Sequence, residues 1–398
     1  MATRKAMKQA TAAGARRRSQ HDAGKGAKKP APRRGTNGAA LAALINIADV
    51  EAVAMRKMPR ASFDYYAGGA EDERTLARNR AAMDRWVLLH RVLVDVSKPD
   101  LSTTFLGAPV TMPIALAPAA FHKLAHPEGE RATARAAGNA GVLMTASTIA
   151  SVPLEGIAEA ATGPLWFQLY VYKDRDLARD LVERAERSGY RALMLTVDTP
   201  ILGRRERDFR NGFTLPGGVT MANFDAYGDL YKRWNFPGGM AARVHDLMDQ
   251  SLTWDTVSWL RSISRLPIVL KGIVRADDAR RALDAGVDAI VVSNHGGRQI
   301  DGGEATILAL PDVVEAVAGQ LEVYVDGGFQ RGSHILKALA LGARGVLIGR
   351  PYLWGLAAGG EPGVGRVLEI LRGELTMAMA LAGAPRLVDI DRSLVRPA

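Results

Sequence analysis

The chain has 398 residues, of which 47% are hydrophobic and 24% charged, with a formal net charge of +10 and no cysteine. This length and composition suit one large α/β domain, or two smaller ones, of ordinary globular type. The lack of cysteine excludes disulfides, thiolate metal sites and cysteine nucleophiles, and no apolar run reaches the roughly 18 residues that a transmembrane helix needs.

The basic excess lies in the first 40 residues, which hold eleven lysines and arginines against one acid, Asp22. We predict a disordered basic tail over residues 1–40 and one folded domain over residues 41–398, because the tail has no apolar periodicity. Such a tail attracts polyanions but has no base-reading element, so no specific nucleic-acid binding is predicted. The run Arg16-Arg17-Arg18 lacks a following apolar segment, which argues against export. A cytoplasmic protein is predicted, with an organellar transit peptide as the weaker alternative.

Helical periodicity opens the folded part, with helices predicted over residues 41–60 and about 63–79, then a hairpin-like region over 88–110. From residue 114 onward, short apolar runs alternate with helical segments. The apolar runs cover residues 114–117, 142–146, 165–170, 192–197, 268–270, 289–292, 323–325 and 345–348. The helical segments include 128–140, 175–188, 275–285, 331–341 and a last helix over about 364–380. Eight buried strands alternating with helices predict a (β/α)8 TIM barrel, because a doubly wound sheet usually has fewer strands.

The connection between the fourth and fifth apolar runs is much longer than the others. It contains glycine, proline, asparagine and aromatic residues between Asn211 and Pro237. A long excursion after a barrel strand usually forms a lid or a pocket wall. Its charged residues include Asp225, Asp229, Lys232, Arg233 and Arg243. We therefore predict a compact, polar excursion.

Polar or small residues follow nearly every predicted strand. They are Pro118, Ala119, Ala120, Ser147, Gln168, Tyr170, Thr196, Asp198, Lys271, Ser293, His295, Asp326, Gly327, Gly328, Gly349 and Arg350. Buried polar groups cost free energy unless they are paired, so a purely structural barrel gives little reason for this pattern. The carboxyl ends of barrel strands meet on one face, where TIM barrels carry their active sites. We predict one functional site there.

The residues after the last two strands indicate a phosphate site. Asp326-Gly327-Gly328 and Gly349-Arg350 follow the seventh and eighth strands, where barrels commonly bind phosphate through backbone N–H groups. The alternative is that the paired glycines form only a turn. A phosphate there, with Lys271 across the mouth, suits flavin mononucleotide (FMN), because a lysine near the N1/C2 carbonyl edge stabilises the anionic reduced ring.

The stretch Ser293-Asn294-His295-Gly296-Gly297-Arg298-Gln299 places a histidine and an arginine at the same face. His295 suits a general base that Asp198, from another strand, orients. Arg298 and Arg205 suit a bidentate grip on a substrate carboxylate. The alternatives are a hydrogen-bonded core histidine and, for Arg205, a solvated charge run over residues 204–208. Two arginines, one base and no nucleophile or metal cluster point to proton abstraction next to a carboxylate.

Several further motifs accompany this stretch. They are Asp64-Tyr65-Tyr66-Ala67-Gly68-Gly69-Ala70-Glu71-Asp72, Ala125-His126-Pro127-Glu128-Gly129-Glu130, Gln168-Leu169-Tyr170, Thr196-Val197-Asp198-Thr199-Pro200, Lys271-Gly272 and Asp326-Gly327-Gly328. Together the motifs resemble the FMN-dependent 2-hydroxy acid oxidases and dehydrogenases, which include glycolate, lactate and hydroxymandelate oxidases and flavocytochrome-type lactate dehydrogenases. The resemblance extends from about Leu41 to about Arg392. It implies an FMN-binding TIM barrel that oxidises an (S)-2-hydroxy acid to the 2-oxo acid, in a homotetramer.

The resemblance also implies a role for each matching residue. His295 is the catalytic base with Asp198 as its partner, and Arg205 and Arg298 bind the carboxylate. Tyr65 and Tyr170 contact the substrate, and Lys271 lies at the flavin N1/O2 edge. The residues implied to line the FMN site are Pro118, Ala119, Ala120, Ser147, Gln168, Thr196, Ser293, Asp326, Gly327, Gly328, Gly349 and Arg350.

Two positions depart from the family pattern. Gln330 stands where the family usually has a phosphate-facing arginine, which predicts weaker FMN retention. Ile149 stands where glycolate-specific members have a tryptophan. The smaller side chain leaves room beyond the substrate α-carbon, so a preference for lactate, mandelate or longer acids over glycolate is predicted. Phe121 and His122 either shape this pocket or are ordinary packing residues.

The sequence allows more than one electron acceptor and more than one class of reaction. Membrane-bound relatives carry a longer apolar insertion in the excursion, so the polar excursion here favours an oxidase that uses O2. A dehydrogenase with a quinone or protein acceptor, and an oxidative decarboxylation as in lactate monooxygenase, are the alternatives. Other phosphate-binding barrels share the Asp-Gly-Gly signature, but the IMP dehydrogenase-like ones need a cysteine nucleophile. A non-enzymatic barrel whose basic tail binds a polyanion predicts a colourless protein.

Overall fold

Eight parallel strands form a closed barrel, which confirms the predicted TIM fold. The computed structural model describes residues 36–227 and 247–398. The strands are β1 (Trp86–Leu88), β2 (Thr103–Phe105), β3 (Ala108–Val110), β4 (Ile114–Leu116), β5 (Leu143–Ser147), β6 (Leu165–Leu169), β7 (Leu193–Thr196), β8 (Ile268–Ile273), β9 (Ala289–Val292), β10 (Glu322–Val325), β11 (Gly345–Ile348) and β12 (Val395–Pro397). Strands β4 to β11 follow one another around the barrel, and β11 closes on β4.

Helices follow the barrel strands and cover the barrel from outside. The helices are α1 (Thr36–Ala42), α2 (Ile47–Lys57), α3 (Arg60–Ala67), α4 (Arg74–Ala81), α5 (Glu130–Ala140), α6 (Leu154–Ala160), α7 (Arg175–Arg187), α8 (Glu206–Arg210), α9 (Asp255–Ile263), α10 (Ala276–Asp284), α11 (Thr306–Val317), α12 (Gly332–Ala340) and α13 (Arg350–Ala382). Each predicted apolar run is a barrel strand. The observed and predicted ends agree within one residue, except that β8 continues through Ile273.

The barrel strands bury both faces, as their continuous apolar runs require. In β9, for example, Ala289 and Val291 belong to a cluster inside the barrel, whereas Ile290 and Val292 belong to the larger cluster between strands and helices. This alternation follows from the two-residue period of a strand. The side chains that fill the barrel make it a packed core, so a ligand site is confined to its ends.

The end of the barrel away from the strand C-termini is plugged by the hairpin of β2 and β3. Phe105, which is fully buried, contacts Tyr324 with ring centroids 4.9 Å apart and Trp166 at 6.3 Å. A Cβ built on Gly345 would lie 2.4 Å from this phenylalanine ring, so the strand start needs a residue without a side chain. The plug leaves the opposite end as the open face.

The predicted hairpin-like region over residues 88–110 is correct only in its last part. The hairpin covers β2 and β3, while β1 pairs antiparallel with β12 at the far end of the chain. A pairing between segments about 300 residues apart carries no local sequence signal. The segment between β1 and β2 has no regular structure.

The N-terminal helices begin earlier and are shorter than predicted. Helix α1 starts at Thr36, inside the predicted tail, and Leu41 packs on Gly359 of α13. The predicted helix over residues 41–60 is interrupted because the Asn46 side chain caps α2 by accepting from the Asp49 N–H. Residues 1–35, and with them most of the predicted disordered tail, lie outside the described residues.

The last helix is longer than predicted and is broken. This helix is α13. Gly359 and Gly360 within it have non-helical backbone angles, so two helical segments meet at a kink. In the excursion, Asp225 lies in a short 3-10 helix, Ala222–Tyr227. Asp229, Lys232, Arg233 and Arg243 lie outside the described residues. Among the helices of residues 36–227 and 247–398, each is too short or too polar to span a membrane.

Candidate active site

A cavity of about 850 Å³ opens at the carboxyl ends of the barrel strands. It brings together nearly all the residues that sequence reasoning selected. Those in its lining are Tyr65, Pro118, Ala119, Ala120, Ser147, Ile149, Gln168, Tyr170, Thr196, Arg205, Lys271, His295, Arg298, Asp326, Gly327, Gly328, Gln330, Gly349 and Arg350. Asp198 and Ser293 are not in the lining; each lies behind it and contacts residues that are.

His295 and Asp198 form the predicted pair across two strand ends. His295 Nδ1 lies 2.9 Å from Asp198 Oδ1, and the Thr199 hydroxyl donates to the same carboxylate oxygen at 2.9 Å. The backbone of His295 has a φ of 58°, in the left-handed region, and its N–H donates to the Ser293 hydroxyl at 3.1 Å. A positive φ costs a non-glycine residue free energy, and such backbone strain is often found where the orientation of a side chain has a function. The pair leaves His295 Nε2 free to face the cavity.

Charge and burial set the protonation of this pair. Burial alone would raise the pKa of Asp198, but the neighbouring His295 and Lys271 charges and the hydrogen bonds lower it to about 2. Burial also lowers the pKa of His295, which the Asp198 carboxylate partly offsets. At neutral pH the carboxylate is therefore ionised and the imidazole neutral. An ionised acceptor at Nδ1 holds the proton on that nitrogen, so Nε2 carries the lone pair of a base.

A glycine lets the carboxylate come this close to the barrel rim. Gly272 has a φ of 117°, and a Cβ there would lie 2.6 Å from the Asp198 Cβ. Any side chain would push the loop of Asp198 away. The motif Lys271-Gly272 therefore contributes a cation to the cavity and the space for the carboxylate behind it.

Lys271 is a buried cation that two hydrogen-bonding groups hold in the cavity. Its Nζ donates to the Ser293 hydroxyl at 3.0 Å and lies 3.4 Å from Asp326 Oδ2. Burial would lower the pKa of Lys271, but the carboxylates of Asp326 and Asp198 raise it above its usual value. The lysine is therefore charged at neutral pH. Ser293 acts on the cavity through Lys271 and His295 rather than by lining it.

Two arginines form the positive part of the cavity. Arg205 is 7% exposed and its side chain forms a hydrogen bond with Tyr65, whereas its buried Nε has no partner among the described residues. Arg298 donates from Nη1 to the Tyr65 carbonyl at 2.6 Å and to the Gly68 carbonyl at 2.9 Å. Within residues 36–227 and 247–398 neither guanidinium forms an ion pair closer than 4.0 Å, and burial together with the Arg205 charge lowers the pKa of Arg298. The charge of Asp208 acts on both arginines without a contact within 4.0 Å. Among the described residues the two cations therefore have no carboxylate in contact, and they make a site for an anion.

Two tyrosines face these arginines. The Tyr65 ring stacks on Phe213 with centroids 4.7 Å apart, and the Arg298 guanidinium lies 5.2 Å from its centroid. Burial, followed by the Asp198 charge, raises the pKa of Tyr170 to about 12. Both hydroxyls therefore stay protonated at neutral pH and can donate hydrogen bonds to a bound anion or hydroxyl.

The cavity wall near Ile149 contains residues that sequence reasoning missed. They are Tyr172, Leu202, Met221, Leu247 and Met248. Leu202 and the last three come from the long excursion or from its ends, where no periodic pattern indicates which side chain faces inward. His122 is no pocket residue; its ring nitrogens contact Thr133 Oγ1 at 3.0 Å and the Tyr352 hydroxyl at 3.1 Å. Phe121 is fully buried and also outside the lining, so both are packing residues.

The remaining lining suits FMN. The Gln168 side-chain oxygen accepts from the Ser147 hydroxyl at 3.3 Å and from the Thr148 N–H at 3.2 Å, which leaves its buried Nε2 without a partner. This free donor, together with charged Lys271, matches the carbonyl-rich edge of a flavin ring. At the other end, α13 starts at Arg350, and the first turn of a helix leaves N–H groups that bind phosphate well.

Comparisons with known proteins agree with this geometry. The family described as FMN-dependent dehydrogenase matches residues 54–397. An L-lactate oxidase from Nostoc sp. is 50% identical over 365 residues, covering 89% of this chain and 99% of that protein. A glycolate oxidase from Spinacia oleracea is 50% identical over 351 residues, covering 88% and 95%. A crystal structure of mandelate oxidase with (S)-4-hydroxymandelic acid superposes with a TM-score of 0.85 at 45% identity, covering 89% of this chain and 99% of the other.

Proposed function

Because the chain belongs to the FMN-dependent dehydrogenase family, we propose that it oxidises an (S)-2-hydroxy acid to the 2-oxo acid and passes the electrons to O2. The family assignment makes the chain an FMN-dependent oxidoreductase. The observation that supports the finer proposal is that His295, oriented by Asp198, lines the same cavity as Arg205 and Arg298, neither of which has an ion-pair partner within 4.0 Å among the described residues. A base next to an anion site is what a 2-hydroxy carboxylate needs.

His295 takes the substrate α-proton at Nε2 in this proposal. Nδ1 is held by Asp198, so the free lone pair is on the nitrogen that faces the cavity. The imidazolium that forms is stabilised by the same carboxylate, which stays ionised throughout. Thr199 donates to Asp198 and thereby keeps the carboxylate oxygen aimed at the ring.

Arg205 and Arg298 bind the substrate carboxylate, and Tyr65 and Tyr170 donate to its oxygen atoms. Fixing the carboxylate places the α-carbon at one distance from His295 Nε2, and such positioning lowers the entropic part of the barrier. Arg298 is already anchored to two backbone carbonyls, so it loses little freedom when the substrate binds.

Bound FMN would supply a two-electron acceptor between the substrate α-carbon and an external oxidant. Gln168, Lys271 and the residues after β10 and β11 hold it. The charged Lys271 favours negative charge at the carbonyl edge of the ring. In the overall reaction the acid loses two protons and two electrons, and O2 leaves as hydrogen peroxide.

A substrate larger than glycolate follows from the wall around Ile149. Ile149, a branched aliphatic residue, stands where the resemblance puts a tryptophan in glycolate-specific members, and Met221 and Leu247 add apolar surface to the same cavity. Apolar surface of this kind stabilises a methyl or phenyl group on the α-carbon. Lactate- to mandelate-sized acids are therefore the proposed substrates, and the relative rates on glycolate, L-lactate and (S)-mandelate test the proposal. A higher catalytic efficiency on glycolate than on the other two contradicts it.

The proposal of O2 as acceptor is supported by the oxidase names of the relatives. Stopped-flow reoxidation of the reduced protein by O2 tests it, and very slow reoxidation favours a dehydrogenase with a quinone or protein acceptor. Product analysis separates the 2-oxo acid plus hydrogen peroxide from the shortened acid of a monooxygenase-like reaction.

A homotetramer in the cytoplasm completes the proposal, and light scattering of the purified protein measures its mass.

A further inference from the structure

The cavity end formed by the loops after β10 and β11 has few positive charges left for an anion. Arg331 pairs with Glu374, with Nε 3.2 Å from Oε2. Arg350 donates from all three nitrogens to backbone carbonyl oxygens at 2.8–3.0 Å. Glu51 lines the same cavity and its charge acts on Arg350. Gln330 is neutral, so the residues of these two loops provide no free cation for a phosphate dianion.

Arg80 lies at this end of the cavity and is free. It is an exposed residue in the last turn of α4 and lines the cavity with Gly328, Phe329 and Gln330. Within the part of the chain that the structure describes, its side chain forms no hydrogen bond or ion pair. Arg78 on the same helix differs, since its Nη1 donates to the Gly302 carbonyl at 2.9 Å.

Backbone packing fixes Arg80 next to the loop after β10. A Cβ on Gly328 would lie 2.4 Å from the Asn79 carbonyl oxygen, so the glycine lets the loop pack directly on the residue before Arg80. Asn79 is buried and exchanges two side-chain hydrogen bonds with Asn294, at 2.9 and 2.8 Å. The end of α4 is therefore held against the strand ends, and the guanidinium of Arg80 reaches the cavity from a fixed base.

We propose that Arg80 supplies the phosphate end of the FMN site with the charge that Gln330 does not provide. A guanidinium next to a phosphate forms short, charge-assisted hydrogen bonds. The inference rests on the proposed position of the FMN phosphate between the loops after β10 and β11. It concerns the phosphate alone, so Arg80 strengthens the binding of FMN and leaves that of riboflavin unchanged, since riboflavin lacks the phosphate.

The test titrates apoprotein with FMN and with riboflavin and follows the quenching of flavin fluorescence. The variants are Arg80→Gln, Arg80→Lys and the matched control Arg78→Gln, each alone and in a Gln330→Arg background. Arg80→Gln should raise the FMN dissociation constant about tenfold, because the phosphate loses one charge-assisted hydrogen bond. The riboflavin constant should change less than about twofold, and Arg80→Lys should keep most of the FMN affinity. In the Gln330→Arg background the effect of Arg80→Gln should shrink, because a second cation is then present.

Three outcomes overturn the inference while leaving the proposed function intact. One is an unchanged FMN constant in Arg80→Gln, and another is an equal loss for FMN and riboflavin, which marks Arg80 as a structural residue. An effect of Arg78→Gln as large as that of Arg80→Gln also overturns it, because α4 as a whole would then be responsible. A wild-type protein that binds riboflavin as tightly as FMN contradicts the phosphate position on which the inference rests, whereas oxidation of 2-hydroxy acids tests the proposed function separately.

Discussion

His295 Nδ1 lies 2.9 Å from Asp198 Oδ1, although 96 residues separate the two along the chain and each stands at the end of a different barrel strand. The contact decides which imidazole nitrogen is free. It also decides the charge, since Asp198 is ionised above a pKa of about 2 while burial keeps His295 neutral at pH 7. In the proposed function, catalysis depends most directly on this pair.

Replacing Asp198 with asparagine tests the pair. The amide keeps the size of the side chain but cannot hold the proton on Nδ1 through a charge, so kcat/KM for the preferred acid should fall about a hundredfold or more. Steady-state kinetics with the FMN-loaded protein measure this. Thr199→Val is the matched control, because it removes only the hydroxyl that lies 2.9 Å from the carboxylate, and it should lower kcat/KM only a few-fold. Equal effects of the two substitutions would contradict the role of Asp198.

The pH profile of kcat/KM tests the direction in which the pKa of His295 is shifted. The base must be neutral, and burial lowers its pKa below the usual 6.5, so activity should be constant near pH 7 and fall only as the pH drops through that lowered pKa. Asp198 raises the pKa of His295, whereas Lys271 and Arg205 lower it. In Asp198→Asn the acidic limb should therefore move to still lower pH. A limb that moves to higher pH is incompatible with this assignment.

The residue at position 149 controls substrate size in this account. Ile149→Trp should reduce kcat/KM for (S)-mandelate about tenfold more than for glycolate, because the indole fills the space that a phenyl group needs. Ile149→Val is the control and should leave the ratio nearly unchanged. Rates on the two acids under identical FMN saturation give the ratio. An unchanged mandelate-to-glycolate ratio in Ile149→Trp would show that the excursion, rather than this residue, sets the size limit.

Gln330→Arg should strengthen FMN binding. The substitution adds a cation to the loop after β10, beside the proposed phosphate position, and the dissociation constant of FMN should fall by about fivefold. Flavin released from the native and variant proteins during ultrafiltration reports the change. Gln330→Met, which adds no charge, is the control. Equal retention in the native protein and in Gln330→Arg rules the idea out.

Lys271 also stabilises the fold. Its ammonium group pairs with Asp326 at 3.4 Å, and both side chains are below 10% exposed. Lys271→Met leaves the carboxylate buried without a cation, so the free energy of unfolding of the apoprotein should fall by about 3 kcal/mol. Denaturant unfolding measures it, and Lys271→Met/Asp326→Asn should recover part of the loss. Arg275→Met, which breaks an exposed pair with Asp277, should have almost no effect. A double variant less stable than Lys271→Met would contradict the pairing.

The barrel was predictable because its information is local. Each barrel strand contains a short apolar run, such as Ala289–Val292, and polar residues at or after the end of the run lie at the same face of the barrel. The barrel topology then brings the separate strand ends to one face, where His295 and Asp198 lie 2.9 Å apart, and their catalytic roles stay predictions.

The parts that sequence reasoning missed depend on long-range packing. The pairing of β1 with β12 and the position of Phe105 in the plugged end of the barrel depend on partners hundreds of residues away. Met221 and Leu247 line the cavity from an irregular excursion without periodicity. Arg80 carries no motif, and only the packing of Gly328 on Asn79 places it near the loop after β10.

The central claim is that this cavity holds FMN and oxidises a 2-hydroxy acid through His295. The most direct measurement is the visible absorption of the FMN-loaded protein under anaerobic conditions during addition of L-lactate or (S)-mandelate. The account predicts that the oxidised flavin bands bleach with these acids and that the bleaching is slowed at least about a thousandfold in His295→Gln, which retains bound FMN. Flavin bands that stay unchanged with glycolate, L-lactate and (S)-mandelate after full reconstitution would contradict it.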